Sequence, residues 1–145
     1  METFEGLPHR TQFVREKNGV RYYDDSKGTN VDAAVKSLAG FDDGHVILIA
    51  GGRDKGGSYT PLREVAHRKA RIVLTIGEAG PAIAKELGAV TEIVPADTLD
   101  RAVHAAAARA RSGDIVLLSP ACSSFDQFRD YKDRGDTFQR LVRRL

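Results

Sequence analysis

Seven consecutive residues, DDSKGTN at positions 24–30, gather two carboxylates, an ammonium, two hydroxyls and an amide. Lys27 offers charge and Thr29 a directional hydroxyl; joined by Arg10 and Lys55 as cations and Ser123 and Ser124 as donors, they suit a small anion bearing more than one carboxylate or phosphate. The plainer reading is a polar turn in which Ser26, Gly28 and Asn30 only launch a helix. A second cluster, GGRDKGG at 51–57, has four glycines, as expected where backbone comes close to something, and Lys55 as a mobile charge. It is no Walker A loop, because G-x-x-x-x-G-K-[ST] is absent from the chain, and a flexible surface loop is its plainer reading. A third, SPACSSFDQF at 119–128, offers the hydroxyls of Ser119, Ser123 and Ser124 and the thiol of Cys122.

A serine or cysteine nucleophile would need a histidine base and an orienting carboxylate. The pattern puts His67 and His104 inside helices and His45 at the wrong end of a strand, so only His9 has a route to that loop. Covalent catalysis is therefore disfavoured, and Cys122 reads as a small buried filler. The dispersed acidic residues and the Cys/His spacing form no zinc cage, so no metal ligand is assigned. A fourth cluster, GEAGP at 77–81, reads as structural: Gly77 ends a strand and Glu78 suits a helix start.

The elements that must position these residues follow from periodicity. TQFVREK and VRYYD flank Asn18-Gly19, the strongest short hairpin signal, which predicts strands over 11–17 and 20–24. NVDAAVKSLAGF carries apolar residues at helical spacing, with Asn30 as N-cap and Gly40 as C-cap. HVILIAGG, RIVLTIG and DIVLLSP are apolar runs of strand length, expected where a strand is buried on both faces, and TEIVP is a shorter strand. YTPLREVAHRKA, EAGPAIAKELG, TLDRAVHAAAARARSG and DTFQRLVRRL read as helices, the third capped by Thr98 and closed by Gly113. Strand–helix alternation predicts right-handed crossovers and a mostly parallel sheet, with about four central strands plus the hairpin. In such sheets ligands bind beyond the carboxyl ends of the strands, where all four polar clusters fall.

The chain has 145 residues, the size of one domain, and is 41% hydrophobic, enough for a sizeable core. With 22 basic and 20 acidic residues, the net charge of +2 singles out neither nucleic acid nor membrane as a partner. One cysteine excludes an internal disulfide, and no apolar run approaches the ~20 residues that span a bilayer. The first ten residues lack the basic and apolar segments of a signal peptide. The expectation is a cytoplasmic domain with no nucleic-acid or membrane partner.

LPHR, DDSKGTN, AGGRDKGG and LLSPACSSFDQFRDYKDRGDTF, in this order and spacing, resemble the C-terminal domain of the Mur ligases of peptidoglycan synthesis, from about residue 6 to residue 145. D-S-K-x-T-N and S-P-A-C-x-S-x-D-Q-F resemble the D-glutamate-adding member in particular. Gly28 stands where that family commonly has Ala, and Tyr131 where it usually has Phe.

The resemblance implies a Rossmann-like three-layer α/β sandwich and an ATP-dependent, ADP-forming amide ligase acting on UDP-N-acetylmuramoyl-L-alanine through an acyl phosphate. Thr29, Lys55, Ser124 and Phe125 would line a D-glutamate pocket, with Tyr131 near it. Arg10 and Asp25 would face the nucleotide on closure, Arg10 toward the phosphates and Asp25 toward the ribose. Lys27, the candidate catalytic residue, would help to neutralise the phosphoryl site. The family has three domains and residues 1–145 match only the third. The UDP-sugar and central ATPase domains would be absent, ATP and Mg²⁺ would belong to the full enzyme rather than to this domain alone, and the isolated domain would be inactive. Three other readings stand beside it: a stand-alone module that binds an acidic amino acid or metabolite without catalysis, a related ligase such as a polyglutamylating enzyme, and a receiver-like or flavodoxin-like domain. The last is disfavoured because the strand ends lack its acidic, Ser/Thr and Lys constellation.

Overall fold

Asn18 and Gly19 both adopt positive φ, 55° and 78°, and turn the chain between β1 (Gln12–Lys17) and β2 (Val20–Asp24), as the sequence predicts. The computed structural model describes residues 7–54 and 56–145. From β2 the chain alternates helix and strand: α1 (Val31–Ala39), β3 (Val46–Gly51), α2 (Leu62–Lys69), β4 (Ala70–Ile76), α3 (Gly80–Leu87), β5 (Glu92–Asp97), α4 (Leu99–Arg109), β6 (Ile115–Leu118) and α5 (Tyr131–Arg143). The strands form a 6-stranded sheet in the order β1-β2-β6-β3-β4-β5. Only β1 runs antiparallel to its neighbour; β2, β6, β3, β4 and β5 are mutually parallel.

The central strands are apolar on both faces because helices cover both. In β3, Val46, Leu48 and Ala50 face α1, α2 and α3, while Ile47 and Ile49 face α4 and α5. β6 repeats this with Ile115 and Leu117 on one side and Val116 and Leu118 on the other. The three-layer sandwich implied by the resemblance is what the chain forms. No helix among the described residues is long and apolar enough to cross a membrane.

Local signals hold at most ends. The Asn30 side chain accepts from the Ala33 amide and Thr98 from the Arg101 amide, so both caps are as expected. Gly40 is the C-cap of α1 as expected, though in right-handed geometry, at φ −77°, with no need of glycine's freedom. Four details differ from the sequence reading. α2 starts only after Pro61, and α4 ends at Arg109, before Gly113. Glu78 lies ahead of α3, and its carboxylate accepts the Asp54 amide rather than serving that helix's first turn. The largest difference is α5, which begins at Tyr131 and not near Asp136. Asp130 caps it by accepting from the Asp133 amide, and Gly135 sits in its interior because a Cβ there would collide with His9 and Asp24.

The fold sets where a ligand fits. β6 lies between β2 and β3, whose following helices pack on one face, while the helix after β6 packs on the other. The chain thus diverges around the carboxyl end of β6, which opens a crevice there.

Candidate functional site

Three of the predicted polar loops meet at this crevice through main-chain bonds. The Ala121 amide donates to Gly28, the Gly51 amide to Pro120 and the Arg53 amide to Ser123, at 3.1, 2.9 and 2.9 Å. Arg53 and Ser123 form an isolated antiparallel bridge. The fourth loop supports them: the Ala79 amide donates to Gly52, and the Glu78 amide to the Asp126 carboxylate. Gly51 and Gly52 take φ of 134° and 143°, and a Cβ on Gly52 would strike the carbonyl of Ser123. Gly52 therefore serves the close approach of one loop to another, and Gly51 the approach to β4, whose Ile76 carbonyl a Cβ would strike, while Gly56 and Gly57 face open space among the described residues.

Beneath the loops lies a buried polar hub on Arg134, which sequence reasoning missed. This side chain is 1% exposed. Its Nε donates to Ser26 Oγ, its Nη2 to the Ser26 carbonyl and its Nη1 to the Cys122 carbonyl. Burial lowers its pKa to about 10, opposed by Cys122 and the carboxylates of Asp126, Asp24 and Asp25, so it stays charged at neutral pH. Asp24, fully buried, accepts from the Ser26 amide, faces His9 Nδ1 at 2.6 Å and accepts from Gln139. His9 Nε2 lies 3.3 Å from Asp136. Engaged with two carboxylates, His9 is no base for the serine-rich loop. Burial raises the Cys122 thiol pKa, and with Tyr59 Oη 3.4 Å from its sulfur Cys122 is the packed filler expected.

Above the hub, Arg10, Asp25 and Lys27 line one open cleft of about 810 Å³, with Asn30, Lys36 and Ser58. Arg10 is exposed and Lys27 half-buried. Asp25 is 4% exposed; Oδ1 accepts from the Thr11 amide at 3.0 Å and the Thr11 hydroxyl at 3.4 Å, and Oδ2 from Ser119 at 2.7 Å. Burial raises its carboxyl pKa, and these hydrogen bonds only partly oppose the rise. Lys27 Nζ donates to Tyr131 Oη at 3.3 Å and sits 4.7 Å from that ring's centroid.

The remaining candidates divide. Thr29 is half-buried, its amide bonded to the Lys27 carbonyl. Ser124 is 2% exposed, with its carbonyl accepting from the Gln127 and Phe128 amides, and Phe125 presents an exposed ring. None of Thr29, Ser124, Phe125 and Tyr131 lines the Arg10–Lys27 cleft. Lys55 lies outside the described residues. Ser123 Oγ is buried and has no hydrogen-bond partner among the described residues. Among those residues no three His, Cys, Asp or Glu side chains converge as a metal set.

The sequence signals for the missed hub are thin. Gly135 inside a helical stretch is the only hint, since it costs about 1 kcal/mol there unless packing demands it.

Comparison with known proteins matches residues 9–122 to the family model of the Mur ligase, glutamate ligase domain. The UDP-N-acetylmuramoylalanine–D-glutamate ligase of Geotalea uraniireducens (strain Rf4) is 52% identical over 145 residues, covering 100% of this chain and 32% of its own length. The chain thus spans about a third of the length of the curated relatives it matches. Among solved structures, a murein peptide ligase from Psychrobacter arcticus superposes with a TM-score of 0.65 at 16% identity, over 99% of this chain and 30% of that one. A domain from a Haemophilus ducreyi protein gives 0.62 at 17% identity, over 93% of this chain and 98% of that one. At these identities the two structures speak for the fold.

Proposed function

This chain belongs to the Mur ligase, glutamate ligase domain family, and on that premise we propose that it is the D-glutamate-receiving domain of an ATP-dependent, ADP-forming ligase of peptidoglycan synthesis. The ligase extends UDP-N-acetylmuramoyl-L-alanine. The observation that carries this reading is the shared cleft of Arg10, Asp25 and Lys27, set beside the Ser124–Phe125 loop at the switch point of the sheet.

In the proposed reaction the γ-phosphoryl group of ATP passes to the L-alanine carboxylate. The D-glutamate amine, having lost its proton, attacks the resulting acyl phosphate, and phosphate leaves. Charge builds on phosphoryl oxygens in both steps. Arg10 and Lys27 meet it, Lys27 from a position that its contact with Tyr131 holds before the substrate arrives, which is where electrostatic catalysis gains most. Asp25 takes the ribose on closure; the 3.4 Å bond from the Thr11 hydroxyl is the weakest it holds and the one a ribose hydroxyl would replace.

Thr29 and Ser124 give directional hydrogen bonds to the D-glutamate carboxylates, Lys55 gives charge, and Phe125 and Tyr131 form walls. Fixing the amine beside the acyl carbon supplies much of the rate. The UDP-sugar domain and the ATPase domain, which holds ATP with its Mg²⁺, belong to the remaining two thirds of such a ligase. The 145-residue chain alone therefore performs no turnover, and the reaction is cytoplasmic.

The test joins the chain to those two domains and follows ADP release. Release that requires both UDP-N-acetylmuramoyl-L-alanine and D-glutamate supports the proposal. Release that is equal with L-glutamate, or independent of any amino acid, contradicts it.

A further inference from the structure

The geometry points to Tyr131 as the positioning residue for Lys27, with its phenol hydroxyl and ring face together fixing where the ammonium meets the phosphoryl group. This role rests on the ligase reading above and deepens it.

An unrestrained lysine at a cleft wall samples many rotamers, and a point charge stabilises developing charge only if it is in place beforehand. Lys27 is restrained at both ends. Its amide donates to the His9 carbonyl at 2.9 Å, which fixes the root of the side chain beside Arg10. At the tip, Nζ donates to Tyr131 Oη at 3.3 Å and lies 4.7 Å from the ring centroid, close enough for cation–π attraction. Tyr131 is itself anchored. It is the first residue of α5, behind the Asp130 cap, and its carbonyl accepts from Ser26 Oγ at 2.6 Å, one residue from Lys27. His9 meets the ring edge-on at a centroid distance of 6.2 Å. The tyrosine and the lysine are thus tied to the same loop and move together. A phenylalanine would keep the ring face and lose the only hydrogen bond recorded for the ammonium among the described residues.

Two measurements test the role. In the 145-residue chain, which carries its own two-sided core, the Lys27 Hε protons should resonate upfield because the ring current of Tyr131 shields them. Tyr131→Phe should keep that shift and Tyr131→Leu should abolish it. In the chain joined to its UDP-sugar and ATPase domains, Tyr131→Phe should lower kcat roughly threefold to tenfold, the scale of one ordinary net hydrogen bond in a half-exposed setting. KM for D-glutamate should stay within about twofold and the melting temperature within about 3 °C. Tyr131→Leu should lower kcat further. Unchanged kcat in Tyr131→Phe, or an unshifted Lys27 in the parent, overturns the proposal. A rise in Tyr131→Phe confined to KM for D-glutamate also overturns it, because the hydroxyl would then serve the amino acid and not Lys27. A parent ligase that consumes no D-glutamate defeats the ligase reading and the positioning role with it, an outcome distinct from an active parent with an indifferent variant.

Discussion

The two ends of the sheet bury charge in opposite ways. At the amino end, Asp114 accepts from the Arg111 amide and from Arg71, lies 3.5 Å from His45, and shares Arg71 with the Arg109 carbonyl. Burial pushes the Asp114 carboxyl up, but the amide and the guanidinium outweigh it and hold the group below its usual range. At the carboxyl end, Asp25 accepts, among the described residues, only from neutral hydroxyls and one amide, and burial wins, so its carboxyl is raised. The amino end spends its cation on its own carboxylate. The carboxyl end sends its buried cation, Arg134, to carbonyls and a hydroxyl, and leaves Arg10 and Lys27 on the open cleft. A structural ion cluster consumes its charges, whereas a site built for an anionic ligand keeps some of them available.

The sharpest way to break this contrast is to remove the hub. Arg134→Leu strands the Ser26 and Cys122 carbonyls in a buried setting and should cost about 3 kcal/mol in urea unfolding. A loss below about 1 kcal/mol would mean that the carboxyl-end loops hold together without it. Next in size is Lys55→Ala in the ligase with all its domains. Loss of a charge-assisted bond to a substrate carboxylate should raise KM for D-glutamate or lower kcat by roughly tenfold or more, and unchanged kinetics would remove Lys55 from the pocket.

The two carboxylates then predict opposite pH signatures. Asp114, with its folded pKa lowered, contributes stability above its unfolded value of about 3.9 that is lost as pH falls through the lowered folded value. Asp25, with its folded pKa raised, binds its proton more tightly when folded. Its contribution is full below about 3.9 and is lost as pH rises toward the raised value. In urea titrations across the acid range, Asp114→Asn should flatten the loss on the falling side and Asp25→Asn the loss on the rising side. The same sign for both would erase the distinction. The smallest effect belongs to Cys122→Ala, which should cost on the order of 1 kcal/mol through lost packing and the lost Tyr59 contact, with turnover preserved. Abolished turnover in a folded variant would contradict the filler role.

What the sequence revealed tracks how local each cause is. Asn18-Gly19 marked the hairpin because the turn itself needs positive φ at both positions. Asn30 and Thr98 marked helix starts because a cap bonds within three residues. The apolar runs of β3, β4 and β6 marked two-sided burial because both faces of each strand meet helices. The start of α5 was hidden, since YKDRGD reads as a solvated polar stretch broken by glycine. Glycine stands inside that helix because His9 and Asp24, more than a hundred residues away, pack where a Cβ would sit, while the Asp130 cap and the buried Arg134, Phe138 and Val142 hold the helix itself. Arg134 was hidden for the same reason, its partners coming from two other loops. For the candidate site, the strand-end location was legible from the fold class, and the contact of Lys27 with Tyr131 was not, because it depends on where α5 begins.

The most direct test of the central claim is an NMR titration of the chain, joined to its UDP-sugar and ATPase domains and held closed by a non-hydrolysable ATP analogue, with D-glutamate and then L-glutamate. The account predicts perturbations at Thr29, Lys55, Ser124, Phe125 and Tyr131 for the D-isomer alone, with the Asp114–Arg71 end of the sheet silent. Equal perturbation by both isomers, or none at these residues, would contradict it.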